Sequence, residues 1–260
     1  MKVTIITVNL NGNRFLPSAI DSVLAQDCSA LEYLIIDGGS TDGSLATIMA
    51  AADRDRRVRW ISEPDAGISA AMNKGVAMAT GDVIGFLHSD DCYPACDVLT
   101  VVADAFAAAP ETQWLTGGLA LISESGKVFR EFPVRRYSRS RLIRSNILFH
   151  PATFVRRELL RALPFNTGLQ LAMDYDLWLR LAERAEPLLI ERPLAAFRIH
   201  AGSRSIRAAD AALAEEFAVR CSYLNARGYG TLRCRLEYSL KRLANRCVVG
   251  RMQSQSLRCR

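Results

Sequence analysis

The sequence of 260 residues lacks the features that mark a membrane-spanning or exported chain. It has no apolar run of about 18 residues, the length that a helix needs to cross a bilayer. Its first residues, MKVTIITVNLNGN, lack the long apolar segment and small-residue cleavage site of a secretory signal. The seven cysteines are odd in number and show no Cys-x-x-Cys spacing, which favours reduced thiols over disulfides or a zinc site. We therefore expect a cytoplasmic protein, with a peripheral position on the inner membrane face as an option.

Three motifs that identify common enzyme classes are also absent. There is no Gly-x-x-x-x-Gly-Lys-Ser/Thr, no Gly-x-Gly-x-x-Gly after the first predicted strand and no Gly-x-Ser-x-Gly. These absences argue against a P-loop enzyme, a dinucleotide-binding Rossmann site and a hydrolase with a serine nucleophile on a strand–helix turn.

Positive charge is concentrated in residues 220–260. The chain carries 33 Lys and Arg against 27 Asp and Glu, a net charge of +6. Residues 220–260 hold ten basic residues and one acid, so this region carries +9 and the remainder −3. Apolar side chains recur there at helical spacing, at Leu232, Leu236, Leu240, Leu243 and Cys247. The pattern predicts a basic amphipathic helix, which either lies on an anionic membrane or packs on the domain with its basic face solvated.

The first ninety residues alternate between predicted strands and predicted helices. Strands are expected at 3–8, 33–36, 58–62 and 83–87, and helices at 14–25, 45–52 and 68–79. Short strand–helix–strand connections predict an α/β fold with an open, mostly parallel sheet covered by helices on both faces. In such sheets the ligand lies at the carboxyl ends of the strands.

The second half has shorter predicted elements. We expect strands at 113–116, 119–123 and 127–132, a loop followed by a helix within 150–165, and a helix within 172–185. A strand that runs into a polar loop is expected within 193–205, and the pattern is helical from residue 209 onward. Any domain boundary is expected near 205–210.

Polar and acidic residues follow each of the first four predicted strands. The segments are NLNGN, DGGSTDGS, EPDAG and HSDD. Singly, such residues are ordinary turn and capping residues. Four in register on one edge of one sheet instead predict a binding site. Acids in place of a glycine-rich cradle suit a ligand whose phosphates are accompanied by a divalent cation.

Several of these segments, in this order, resemble family 2 glycosyltransferases with the GT-A fold. They are TIITVNLNGNRFLPSAIDSVLAQ, YLIIDGGSTDGS, SEPDAGISAAMNKGVAMATGDVIGFLHSDD, HPATFVRR, MDYDLWLRLA and FRIHAGSRS. The resemblance implies a GT-A domain over 1–205, with a nucleotide-binding half (1–95) and an acceptor half (96–205), followed by a basic helical extension (206–260). It also implies Mn²⁺ or Mg²⁺ as cofactor.

The resemblance assigns roles in donor binding to residues at the strand ends. Those implied to hold the nucleotide are Thr7, Asn9, Asp37, Asp65, Asn73, Lys74 and Asp90. Asp91 is implied to bind the metal, with His200 as a further ligand, while Arg198 and Arg204 are implied to meet phosphate. His88 stands where many relatives have Asp or Asn, so the division of labour between Asp90 and Asp91 stays open. Lys74 is either a phosphate contact or a solvated helix lysine.

The acceptor half supplies the implied catalytic base. Asp174, in MDYDLW, matches the family's base, although an N-terminal capping acid is the alternative, and Met173 stands where many relatives have Glu. Asp176 is the weaker candidate. His150 either lines the acceptor pocket or packs in the core.

The function implied is transfer of a sugar, with inversion, from a UDP- or GDP-sugar to a hydroxyl of a glycan or lipid-linked acceptor. The product would belong to a polysaccharide, lipopolysaccharide or other cell-surface glycan. One alternative is a sugar nucleotidyltransferase, which normally has a glycine-rich basic loop after strand one that NLNGNRF lacks. Another is a non-catalytic nucleic-acid-binding module that uses the basic tail. Because the body of the chain is acidic, we expect no nucleic-acid partner.

Overall fold

The computed structural model describes residues 1–203, 207–232, 234 and 236–239. The described strands are β1 (Val3–Asn9), β2 (Leu31–Asp37), β3 (Val58–Ser62), β4 (Val83–Phe86), β5 (Trp114–Ile122), β6 (Val128–Phe132), β7 (Thr153–Arg156) and β8 (Leu188–Arg198). Over these residues they form one eight-stranded sheet in the order β3-β2-β1-β4-β7-β5-β6, with β8 paired to β5.

Parallel pairing dominates the sheet, which confirms the predicted fold class. β1 pairs in parallel with β2 and β4, β2 with β3, and β5 with β8. β7 runs antiparallel between β4 and β5, and β6 lies antiparallel on β5. Because β1 to β4 run in one direction, their carboxyl ends share one edge of the sheet. We call this edge, made of Asn9, Asp37, Ser62 and residues 88–91, the rim.

Helices cover both faces of the sheet. The described helices are α1 (Leu16–Leu24), α2 (Ser44–Arg54), α3 (Ile68–Met78), α4 (Val98–Ala108), α5 (Arg139–Arg144), α6 (Arg157–Ala162), α7 (Met173–Leu181) and α8 (Ala209–Asn225). Alternation along β1 places Ile5 in the core shared with α1, α2 and α4, and Ile6 in the core shared with α3 and α5 to α8. Burial on both faces explains why the predicted strands are almost wholly apolar.

Two predicted elements of the second half were wrong. The strands expected at 113–116 and 119–123 are one strand, β5, which passes through Gly117 and Gly118 with an irregular register against β8. A Cβ on Gly117 would lie 2.4 Å from the Leu194 side chain, and one on Gly118 would lie 2.6 Å from the Phe132 carbonyl oxygen. The glycines therefore permit close strand packing instead of ending the strand. The loop expected before the helix within 150–165 contains a short 3₁₀ helix (His150–Ala152) and β7.

The predicted basic extension lies only partly within the described residues. Helix α8 forms where helical pattern was expected and packs on α7, but it carries three acids and one arginine. Leu240, Leu243 and Cys247, which complete the expected amphipathic face, lie outside the described residues, as does Arg204. In the part of the chain that is described, no helix has both the length and the apolar character to cross a bilayer.

Candidate active site

The rim is built by the last residues of three adjacent parallel strands. The register places Asn9 of β1 beside Asp37 of β2, and Asp37 beside Ser62 of β3. Asn9 Nδ2 donates to Asp37 Oδ1 (2.7 Å), and Ser62 Oγ donates to Asp37 Oδ2 (2.7 Å). Ser40, in the turn after β2, adds its hydroxyl and its backbone N–H. Burial raises the pKa of Asp37, but these hydrogen bonds outweigh burial and hold it below its usual range.

Two residues predicted to bind nucleotide form side-chain hydrogen bonds with other parts of the protein. The Thr7 hydroxyl donates to the Leu87 carbonyl oxygen (2.6 Å) and lies 2.9 Å from the Tyr33 hydroxyl. Asn73 bonds both the N–H and the carbonyl group of Phe165, each at 2.9 Å. The Thr7 side chain thus ties β1 to the end of β4, and Asn73 ties α3 to the segment that precedes α7.

The loop after β3 holds a lysine between two acids. Lys74 Nζ lies 2.5 Å from Asp65 Oδ1 and 2.7 Å from Glu63 Oε1. Burial lowers the pKa of Lys74, but the two carboxylates outweigh it and raise the pKa above its usual value. Lys74 is therefore a paired cation in this structure, and the contact with phosphate stays a prediction. The Asp65 Oδ2 atom is buried and has no hydrogen-bond partner among the described residues.

The turn after β4 separates its two adjacent carboxylates. The Asp90 side chain is 29% exposed, and its Oδ2 lies 3.0 Å from His200 Nε2. Asp91 is 1% exposed; its Oδ1 accepts from the Arg198 backbone N–H (3.1 Å), while its Oδ2 has no partner in the described part of the chain. Burial, together with the charge of Asp90, raises the pKa of Asp91 well above its ordinary value. The prediction placed His200 on the metal, and the structure places it against Asp90.

Arg198 differs from its predicted role as a phosphate contact. It is 3% exposed, and all five of its N–H donors have acceptors within the protein. These acceptors are the carbonyl oxygens of Asp90, Ser123 and Glu124, the Ser18 hydroxyl and the Cys92 sulfur. The guanidinium therefore joins α1, the turn after β4 and the β5–β6 turn, and it holds the rim in place.

We expect Arg198→Gln to lower the free energy of unfolding by about 3 kcal/mol, because several buried hydrogen bonds to a charged group are lost together. Urea unfolding followed by circular dichroism measures this change. Arg192→Gln is the matched control, since Arg192 forms a partly exposed ion pair with Asp97; it should cost less than about 1 kcal/mol. Equal losses in the two variants would contradict the role assigned to Arg198.

The predicted base, Asp174, lies in the first turn of α7. Its Oδ2 accepts from Asn146 Nδ2 (3.0 Å), and its Oδ1 accepts from the Tyr175 N–H (2.7 Å). Burial raises the pKa of Asp174 to about 6 despite these two hydrogen bonds. Asp176, by contrast, forms an ion pair with Arg180 (2.7 Å) on the same helix. The pKa of Asp174 therefore suits a general base, whereas Asp176 is engaged in an ion pair.

His150 lies in an aromatic cluster between the rim and α7. Its ring centroid is 5.3 Å from those of His88 and Phe86, and 5.8 Å from those of Phe165 and Trp178. Burial and the neighbouring His88 lower the pKa of His150 well below its usual value, so the ring is neutral. The position favours the packing role over the acceptor contact, which stays a prediction.

The rim has the composition of a site for a divalent cation that is carried with a ligand. No three His, Cys, Asp or Glu side chains form a ready-made metal cage within the described residues. The buried Asp91 Oδ2 nevertheless lacks a partner beside a second carboxylate, and hard divalent cations bind such oxygens. The residues present therefore fit a cation that takes its other ligands from phosphate and water.

Sequence reasoning missed four residues that hold these side chains. Ser40, which bonds Asp37, stands in the polar turn DGGSTDGS that the sequence singled out, so that signal was available. Ser62, which also bonds Asp37, is the last residue of the predicted strand 58–62. Asn146, which bonds Asp174, stands in a segment without a recognisable pattern, and Glu215, which bonds the segment before α7, stands in a predicted helix that shows nothing of this contact. Their roles follow from the fold alone.

Comparisons with known proteins agree with this geometry. The Glycosyl transferase family 2 model matches residues 4–163. The chain is 33% identical over 192 residues to the PGL/p-HBAD biosynthesis glycosyltransferase of Mycobacterium bovis, covering 73% of this chain and 72% of that protein.

Two solved structures share the fold. S. aureus TarS 1–349 in complex with UDP-GlcNAc has a TM-score of 0.67 at 16% identity, covering 86% of this chain and 66% of that one. The mannosyltransferase PcManGT from Pyrobaculum calidifontis, in complex with GDP-Man and Mn²⁺, has a TM-score of 0.63 at 19% identity, covering 92% of this chain and 79% of that one. At these identities the likeness shows the fold alone. The match of the family model and the M. bovis relative go further: the chain belongs to glycosyl transferase family 2 and is a glycosyltransferase.

Proposed function

We propose that the protein transfers a sugar from a nucleotide diphosphate-sugar to an acceptor hydroxyl with inversion of the anomeric centre. One observation carries this proposal: the structure holds two separate acidic centres suited to different tasks. Asp91 is a buried rim carboxylate with one unpartnered oxygen, and Asp174 is a buried carboxyl group with a pKa of about 6 on α7. One suits a cation-assisted leaving group and the other suits a base.

The donor is proposed to lie along the rim. Asn9 Oδ1 and Asp65 Oδ2 are buried acceptors without partners among the described residues, and they match the N–H groups of a nucleotide base. Asp37 and Thr7 hold this edge of the sheet, and Asp90 is proposed to contact the ribose. Solved structures of the same fold contain UDP-GlcNAc or GDP-Man, which supports a UDP- or GDP-sugar as donor.

Asp91 is proposed to hold Mn²⁺ or Mg²⁺. His200 lies beside the same turn, where its ring contacts Asp90. Such a cation would neutralise the charge that develops on the departing diphosphate. A solved structure of the same fold that contains Mn²⁺ supports this cofactor. Because Arg198 is fully bonded within the protein, its guanidinium supports the turn that carries Asp91 and does not itself meet phosphate.

Asp174 is proposed to take the proton of the acceptor hydroxyl as that oxygen attacks the sugar. A single direct displacement inverts the configuration at the attacked carbon, and it needs one base and no enzyme nucleophile. The acceptor is proposed to be a glycan or a lipid-linked glycan of the cell surface. The comparisons add no support for a nucleotidyltransferase or a nucleic-acid-binding module.

The rate of transfer should fall about tenfold for each pH unit below about 6, because a base with its pKa raised to about 6 is protonated there. Above this pH the rate should reach a plateau with respect to Asp174. The measurement is kcat at saturating donor across the acidic range, with circular dichroism at each pH to confirm folding. A rate that stays constant to about pH 4.5 in folded protein would contradict the assignment of the base, because that group would then titrate near its ordinary pKa.

A panel of nucleotide-sugars tests the proposed reaction. UDP- and GDP-sugars are incubated with the protein and Mn²⁺, Mg²⁺ or a chelator, and release of UDP or GDP is followed. We expect slow release from at least one donor, with loss of release in the chelator. The anomeric configuration of the released sugar, read by proton NMR at early times, should be opposite to that of the donor. Retention would contradict direct displacement, and no release from any donor would contradict the donor class.

A further inference from the structure

The segment that leads into α7 is held by an acid from another helix. Glu215, in the middle of α8, accepts hydrogen bonds from three consecutive backbone N–H groups that lead into α7. Its carboxylate oxygens lie 3.0 and 3.2 Å from the Gln170 N, and its Oε2 lies 2.6 Å from both the Leu171 N and the Ala172 N. One carboxylate thus satisfies three donors of a turn.

The residue just before α7 provides no side-chain cap for the helix. The residue that precedes α7 is Ala172, which has no side-chain hydrogen-bonding group to cap the helix. Uncapped N–H groups at a helix start need partners from elsewhere, and a carboxylate there also interacts favourably with the helix dipole. Glu215, 43 residues beyond Ala172, bonds the N–H of Ala172 and of the two residues before it, and it places a negative charge near this end of the helix. Asp174 follows Ala172 by two residues, so the same contact fixes the position from which its side chain departs.

The segment before α7 is also bonded to the nucleotide-binding half of the chain. The segment 165–172, which we call the bridging segment, is bonded to α3 through the Ser69 hydroxyl and the Leu169 carbonyl oxygen (3.0 Å). The Gln170 side chain lies beside Gly67, where an added Cβ would stand 3.1 Å from Gln170 Nε2. Gly67 follows Asp65 by two residues. The bridging segment therefore lies between the loop after β3, which carries Asp65, and α7, which carries Asp174. Glu215 binds the end of this segment from α8.

We propose that Glu215 is a positioning residue that orients Asp174 for proton abstraction, so that α8 belongs to the catalytic unit. The inference rests on the proposed role of Asp174 as the base. A misplacement of about 1 Å in a catalytic group costs on the order of 100-fold in rate, so the loss of three hydrogen bonds at this turn should slow catalysis. The loss of these three hydrogen bonds should leave donor binding at the rim unaffected, because no residue proposed for the rim bonds Glu215.

The test compares Glu215→Gln and Glu215→Ala with Asp210→Asn, an acid on the exposed first turn of α8. Hydrolysis is measured with the nucleotide-sugar that the wild type cleaves fastest. We expect kcat to fall about tenfold in Glu215→Gln and about 100-fold in Glu215→Ala, with KM for the donor within about twofold of wild type. Asp210→Asn should match the wild type. Amide hydrogen exchange at Leu171 and Ala172 should accelerate in both Glu215 variants, and not in the control.

Two outcomes separate failure of this inference from failure of the proposed function. If Asp174→Asn is inactive while Glu215→Ala keeps the kcat of Asp210→Asn, the positioning role is wrong and the base stands. If Asp174→Asn keeps wild-type kcat, the assignment of the base is wrong, and the positioning role falls with it. Should Glu215→Ala unfold, the isosteric Glu215→Gln decides: kcat, KM and amide exchange equal to wild type would overturn the proposal.

Discussion

Replacing Asp174 by asparagine is expected to lower kcat for sugar transfer by about 1,000-fold, because a positioned general base contributes between two and four orders of magnitude. Asparagine keeps the size of the side chain and can still accept from Asn146, but it cannot take a proton. Binding of UDP or GDP with Mn²⁺ should be unchanged, since Asp174 lies on α7 and not on the rim. Calorimetric titration and initial rates measure the two effects separately.

Asp176→Asn is the matched control for this prediction. Asp176 lies on the same helix, and its carboxylate is paired with Arg180. We expect its kcat to stay within about threefold of wild type, because an i,i+4 pair on a helix contributes only about 0.5 kcal/mol. If Asp176→Asn is inactive and Asp174→Asn active, the two acids have been assigned in the wrong order.

The second large effect is expected at Asp91. Asp91→Asn should lower Mn²⁺-dependent hydrolysis of the donor at least about 100-fold, because a bound cation contributes several kcal/mol to stabilising the departing diphosphate. The variant should nevertheless fold, and its melting temperature without metal should equal or exceed that of the wild type. Burial opposes a charge at this position, and a neutral amide removes that cost.

Asp82→Asn controls for the change of charge. Asp82 precedes β4 at the end opposite to the rim, where its carboxylate accepts from the Lys2 N–H. Its Mn²⁺ dependence and rate should match the wild type. An Asp91→Asn variant with the wild-type response to Mn²⁺ would place the cation elsewhere, and Asp90→Asn would then be the variant to measure.

Local pattern predicted the donor half of the fold closely. The four predicted strands of the first ninety residues correspond to β1 to β4, and the polar turns after them meet at the rim. β1 and β4 are almost wholly apolar runs followed by turn residues, so for them sequence and structure carry the same signal. β5 was predicted less well, because Gly117 and Gly118 resemble a strand break. In the fold they allow close packing against neighbours such as Leu194, which are distant in sequence.

The detailed roles of site residues could not be predicted in the same way. Arg198 was predicted to meet phosphate because the segment FRIHAGSRS resembles a family motif, yet its donors are used by groups between 74 and 180 residues away in sequence. Glu215 gave no signal at all, since its partners are backbone N–H groups on another helix. Such contacts depend on which segments the fold brings together, and no spacing within the sequence encodes them.

Binding of UDP and of GDP to the wild-type protein, measured by calorimetry with Mn²⁺ and again with a chelator, tests the central claim most directly. The rim is proposed to bind a nucleoside diphosphate through a cation held by Asp91. At least one of the two nucleotides should therefore bind with Mn²⁺, and its affinity should fall at least about tenfold in the chelator. Equal affinity with and without the cation, or no binding of either nucleotide, would contradict the account.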